Sequence, residues 1–218
     1  MTTRRGPSKK KKKKKTAKAP EKRDRREEIV SALYRCMAEK GFTAATLSDI
    51  AQAAGMSSSH LLYYFHGKDA ILEALFKDEC SRERAELEAL PDEPSEALDA
   101  VADLFLNPKN GTKNDRVVML DLAGQTIQNR ALRKAQANHD RAVKKALAGV
   151  FKKTPRTAGV TAVDAAHSAY AMLNGLRTTS FFDSSLSGLQ AHKLFRSTLY
   201  QLAGIANGRA KRATRAAS

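Results

Sequence analysis

Residues 46–69 read TLSDIAQAAGMSSSHLLYYFHGKD, and this stretch decides the fold. Thr46 is an N-cap residue by type, and Asp49 three positions on completes a capping-box pattern for the helix that follows. Leu47, Ile50, Ala51 and Ala54 fall on one face of that helix, and Ala51 is small enough to let another helix cross closely. Gly55 supplies the left-handed backbone that closes a helix, and Met56 the apolar contact after it. Ser57 then caps a second short helix anchored by Leu61 and Phe65, which leaves Ser58, Ser59, His60, Leu62 and Tyr63 on or near the outward side. Two helices on so tight a turn, the second opening on small polar residues, have the layout of a helix-turn-helix whose second helix enters a DNA major groove.

Outward from this unit the chain reads as helix after helix. Before it, Ile29, Leu33 and Met37 recur every four residues, Val30 and Tyr34 widen the stripe, and Gly41 ends a helix over residues 23–40. Phe42 follows that stop, placed to pack back against the helix. After it, Gly67 breaks the chain, and Lys68 and Asp69 open a helix with the apolar stripe Ile71, Leu72, Leu75 and Phe76, running to about Leu90. Ser95 is expected to cap a fifth helix that ends before Pro108, and the Asn, Gly and Pro content of NPKNGTKND marks a loop. Residues 115–129 and 131–152 form a helical pair, and two long helices follow over 161–183 and 187–206. With six prolines, twelve glycines and no tryptophan in 218 residues, an all-α chain is expected: a three-helix head and a larger helical body.

The last two helices are apolar on more than one face: Leu173, Leu176 and Phe181 in one, Leu189, Phe195, Leu199 and Leu202 in the other. Such helices need a second partner. A homodimer that sets four of them across a two-fold axis supplies it; packing of both faces within one monomer is the alternative. The layout is thus a lysine-rich disordered tail (1–22), a head (23–83, with its recognition unit at 46–65), a body (84–207) and a basic tail (208–218).

Charge is unevenly placed along this layout. The net +16 is carried by residues 1–26, with fourteen Lys/Arg against Glu21 and Asp24, and by residues 208–218, with four Lys/Arg and no acid. Residues 27–207 hold 21 of each sign. Within 27–70 the cations are Arg35, Lys40 and Lys68 against five acids, so the head alone is net negative. A negative head approaching a polyanion calls for cations from elsewhere, and the seven consecutive lysines of the tail are the expected source.

Other function classes find little support. Cys36 and Cys80 stand far apart without a CxxC or histidine partner, so neither a metal site nor a cofactor site is expected. No G-x-S-x-G, P-loop or Cys–His constellation suggests an enzyme. No apolar run approaches the roughly 20 residues of a membrane span, and the basic N-terminus leads into no apolar stretch; a cytoplasmic protein with no membrane partner is expected.

From Arg26 to Leu75, and above all in TLSDIAQAAGMSSSHLLYYFHGKDAIL, the chain resembles the N-terminal domain of TetR-type transcriptional regulators. That resemblance implies a homodimeric DNA-binding regulator, most often a repressor released by a small-molecule effector, whose partner is a double-stranded, palindromic operator. Carried over by position, Ser57, Ser58, Ser59, His60 and Tyr63 would face bases or phosphates, Tyr64 would lie near the backbone, and Lys68 would reach a phosphate. Thr46 would offer its helix N-terminus to another. The chain departs from the pattern at Ser58, Ser59 and Leu62, where many relatives carry a cation, a small residue and a phosphate-binding tyrosine; Leu62 instead suits a thymine methyl or a half-buried position.

For an effector, His167, Tyr170, Asn174, Arg177 and Phe181 follow at helical spacing and make a mixed polar and aromatic stripe, with Arg177 able to meet an anion. A hydrogen-bonded helix interface is the alternative use of the same stripe. Met119, Gln125, Gln128 and His139 are further candidates in the middle helices. The competing reading of the whole chain is an architectural protein that coats DNA through its basic tails.

Overall fold

The computed structural model describes residues 19–107, 109 and 113–206, and of residues 19–23 and 113 the backbone alone. These residues form helices and no strand: α1 (Ala19–Ala44), α2 (Leu47–Ala53), α3 (Ser58–Tyr64), α4 (Lys68–Glu88), α5 (Pro94–Leu106), α6 (Lys113–Gln128), α7 (Arg130–Lys152), α8 (Ala162–Phe182) and α9 (Gly188–Ala203). The expected tails at 1–18 and 208–218 lie outside the described residues. Residues 19–22, expected in the tail, are instead the start of α1. Pro20 falls in its first turn, where a missing N–H interrupts no helical bond.

Local signals set most of the boundaries. Gly41, at φ 78°, breaks α1, and Gly55, at φ 66°, closes the turn after α2. Thr46 and Asp49 form the reciprocal capping box, and Ser57 accepts from the His60 N–H at 3.2 Å. The cap of α5 is Glu93 rather than Ser95: its carboxylate accepts from the Glu96 N–H at 2.8 Å. Pro94, with φ already suited to a first helical turn, moves the start two residues upstream.

Two hydrophobic clusters hold the helices. One joins Ile29, Leu33 and Met37 of α1 to Ile50 of α2, Leu61 of α3 and Ile71 to Phe76 of α4. The other collects Leu87 with α5, the later part of α7, α8 and α9 around Val101, Leu147, Leu173 and Phe195. The change of cluster within α4 falls near the expected border at 83/84, but the border is not clean. Val118 and Leu122 of α6 and Leu132 of α7 belong to the head cluster. Full burial of each such side chain stabilises by about 1.5–3 kcal/mol, and the buried Val118 and Leu122 both anchor α6 in the head cluster.

Of the residues expected to make α8 and α9 apolar on two faces, Leu173, Phe195 and Leu199 are consumed in the monomer core, and only Leu189 is exposed. The exposed apolar side chains of this pair are Val163, Phe182, Leu189 and Leu194. The pair therefore keeps exposed apolar side chains, largely at other residues than the sequence suggested.

Candidate nucleic-acid interface

Leu61 and Phe65 are buried in the cluster shared with α1, α2 and α4, so that the other side of α3 faces outward. That side carries Ser59, His60, Leu62 and Tyr63, with Leu62 44% and Tyr63 68% exposed, and Ser58 half-buried. Leu62 is thus more exposed than a half-buried helix position. Tyr64 is half-buried and packs between the rings of His60, with centroids 5.3 Å apart, and Tyr63, at 5.2 Å. The face is a row of hydroxyls, one imidazole and an aliphatic side chain on a rigid, doubly anchored turn. It offers hydrogen-bond donors and acceptors to base edges and an apolar contact to a methyl group, and it carries no lysine, arginine or carboxylate.

Several cations of the head are engaged with the chain's own groups. The Arg35 guanidinium donates to Ala53 O at 2.6 Å, capping the end of α2. Arg26 donates to Tyr64 O at 2.6 Å, at the end of α3, while its guanidinium lies 4.0 Å over the Phe65 ring. Each thereby satisfies a carbonyl that a helix C-terminus leaves unpaired. Lys40 pairs with Asp49 at 2.8 Å. That lysine, together with the Thr46 hydrogen bonds, holds the Asp49 carboxyl far below the usual carboxylate range. At Thr46, the expected phosphate site, the same carboxylate closes the capping box: Asp49 Oδ2 accepts from Thr46 N at 2.8 Å.

Lys68, expected to reach a phosphate, donates instead to Phe42 O at 2.7 Å and Ala45 O at 2.8 Å, and lies 4.3 Å over the Phe42 ring. It ties the start of α4 to the turn between α1 and α2. From the other side Asp121 of α6 accepts from Phe42 N at 2.5 Å, and Tyr34 of α1 bonds Asp115 of α6. The turn that aims the reading unit is therefore held by α4 and α6 together.

In the body, the α8 stripe is brought to a polar cluster rather than to an open site. Tyr170 donates to Asp140 at 2.5 Å, and burial and that carboxylate push its hydroxyl up to about 12. Asn174 donates back to Tyr170 O, Arg177 contacts Glu83 at 3.4 Å and covers the Phe105 ring, His167 is exposed, and Phe181 stacks on Phe182. Glu83 also meets His139 Nε2 at 2.8 Å. Burial opposes charge on His139, but Cys80 and Glu83 outweigh it and raise the imidazole to about 9. Burial likewise opposes charge on Glu83, and His139 and Arg177 outweigh it to keep the carboxyl below its usual value.

A cavity of about 680 Å³ runs along α4 and α7, lined by Ala74, Lys77, Cys80, Arg84, Ala135 and His139 among others, but by none of the five stripe residues. Of the middle-helix candidates only His139 reaches it; Met119 and Gln128 are exposed, and Gln125 bonds Asp121. Sequence reasoning missed Glu83 and the use of Arg26 and Arg35 on the chain's own carbonyls, since those contacts span 18 to 94 positions and leave no periodic trace. Among the described residues no group of side chains is arranged to hold a metal, and no helix is long and apolar enough to cross a membrane.

Residues 29–75 match the model of bacterial regulatory proteins of the TetR family, and residues 94–204, just over half the chain, match that of the BetI-type transcriptional repressor C-terminal domain. An HTH-type transcriptional repressor of Mycobacterium tuberculosis is 38% identical over 58 residues, covering 27% of this chain and 31% of that one. The HTH-type transcriptional regulator BetI of Burkholderia mallei is 29% identical over 160 residues, 70% of this chain and 79% of its own length. A TetR transcription regulator from Haloarcula marismortui superposes with a TM-score of 0.73 at 23% identity, over 84% of this chain and 97% of that one, which supports the fold. Family models match on both sides of α4, one over the capped helix-turn-helix and one over the helical body behind it, and the chain belongs to the TetR family of bacterial regulatory proteins.

Proposed function

We propose that the protein is a homodimeric transcriptional regulator that reads a palindromic operator with Ser57, Ser59, His60, Leu62 and Tyr63, and that it acts as a repressor released by a small molecule. The observation that carries the reading is the outward face of α3, exposed and fixed by buried Leu61 and Phe65. Small donors and acceptors on the first turns of such a helix discriminate bases, while its anchors fix the register. Dimerisation is assigned to α8 and α9, which keep Val163, Phe182, Leu189 and Leu194 exposed.

The effector reading centres on the polar cluster where α4, α7 and α8 meet, with Tyr170 and Arg177 from α8 and with His139 reached from the cavity along α4. A ligand that competes for Glu83 or Arg177 there would move α4, whose first turn holds the α1–α2 turn through Lys68. Footprinting on DNA upstream of the protein's own gene tests the regulator reading: a short protected palindrome is expected. Protection without sequence preference would favour the architectural coater.

A further inference from the structure

The cavity between α4 and α7 is built from two helical stripes. On α4 its lining recurs at Ala70, Ala74, Lys77, Ser81 and Arg84, spacings of four, three, four and three that keep these residues on one face. On α7 it recurs at Ala131, Ala135 and Asn138, with Leu132 and His139 beside them. Alanines stand on both helices and are too short to fill the space between them, while the buried Phe76 and Leu132 add apolar lining. At about 680 Å³ the cavity has the size of sites that hold small organic molecules.

Its charge is not balanced by the protein itself. The side chains of Lys77 and Arg84 are exposed and have no hydrogen-bond or ion-pair partner among the described residues. Nearby cations are committed: Arg82 to Glu79, Arg177 to Glu83 and Arg26 to Tyr64 O. Lys77 and Arg84 stand about 10 Å apart along α4, and between them Cys80 reaches the cavity from α4. His139 joins them from α7; despite burial, Cys80 and Glu83 raise it to about 9, so it is a cation at neutral pH. Glu83 offsets that charge but is shared with Arg177, and the lining carboxylates, Glu73 and Glu88, fall outside the interval from Lys77 to Arg84. Two long side chains can therefore converge on one anion between them, and engaging it breaks no helix cap or ion pair.

We propose that this cavity binds an amphipathic organic anion, its carboxylate held by Lys77 and Arg84 and its hydrocarbon body laid against Ala74, Leu132 and Ala135. The proposal rests on the reading of the protein as a regulator released by a small molecule, and gives that molecule a chemical class. Arg26 lines the same cavity and donates to Tyr64 O at the end of α3, so an occupant reaches the contact that ties α1 to the reading helix.

Cys80 supplies the readout, since it lines the cavity and is half-buried, whereas Cys36 is only 5% exposed. Alkylation of Cys80 by N-ethylmaleimide is followed in the full chain, and in the chain carrying both Lys77→Gln and Arg84→Gln, with decanoate, decan-1-ol or decyltrimethylammonium added below micelle-forming concentrations. Release of a selected operator is followed in parallel. Decanoate should slow alkylation saturably and the other two should not. The double substitution should weaken the apparent decanoate affinity at least ~5-fold while leaving the melting temperature unchanged, because both side chains are exposed and unpaired. No protection by decanoate, equal protection by the alcohol or the ammonium, or an unchanged affinity in the altered chain overturns the proposal. Protection of Cys80 without release of the operator upholds the anion site and refutes the effector reading instead.

Discussion

Replacing His139 by Gln is expected to remove a pH-dependent part of the stability. His139 is buried with its Nε2 2.8 Å from Glu83 Oε2, and its imidazole is raised to about 9 from an ordinary 6.5. Because the folded value lies above the unfolded one, the stabilisation is fully present below about pH 6.5 and is lost as pH rises through about 9. The full shift corresponds to about 3 kcal/mol, of which roughly 2 kcal/mol disappears between pH 7 and pH 9. Urea unfolding of both chains at a fixed protomer concentration, at about pH 6, 7, 8 and 9, isolates this contribution, since other titrating groups largely cancel in the difference. The stability gap should shrink by about 2 kcal/mol from pH 7 to pH 9. A gap that stays constant or widens would refute a protonated His139 clamped by Glu83.

Other substitutions probe the remaining parts. Gly204 closes α9 at φ 67°, and a Cβ there would stand 2.7 Å from the Arg156 backbone; Gly204→Ala should cost at least about 1–2 kcal/mol, read as a lower urea midpoint. Leu61→Ala, at a fully buried position, should cost about 2–5 kcal/mol. Tyr63→Ala, at a side chain 68% exposed, should weaken operator binding by more than it lowers stability, as seen by comparing gel-shift titration with melting. Phe182→Lys, on an aromatic 73% exposed, should shift sedimentation toward monomer while leaving helicity unchanged.

The reading unit was legible in the sequence because its signals are local. Thr46, Gly55, Ser57 and Gly67 punctuate two short helices, and caps and left-handed glycines act within a few residues of themselves. The body was legible only as helices. Which apolar residues of α8 and α9 remain outside depends on how α5 and α7 cover them, and no periodicity within one helix carries that information. The same limit explains Lys68: its position matched a phosphate contact, but the carbonyls of residues 42 and 45 come within its reach only once α1 and α4 are packed. Glu83, Cys80 and His139 lie more than fifty residues apart in part, and only the packing of α4 on α7 joins them.

The most direct test of the central claim is selection of bound DNA from random sequence by the unaltered protein and by chains carrying Ser59→Ala, His60→Ala or Tyr63→Ala. The account predicts one inverted repeat for the unaltered protein, with each substitution relaxing the preference at one or two symmetrically placed base pairs and sparing the rest. No enriched repeat, or a repeat that all three substitutions leave unchanged, would contradict the assignment of base reading to the outward face of α3.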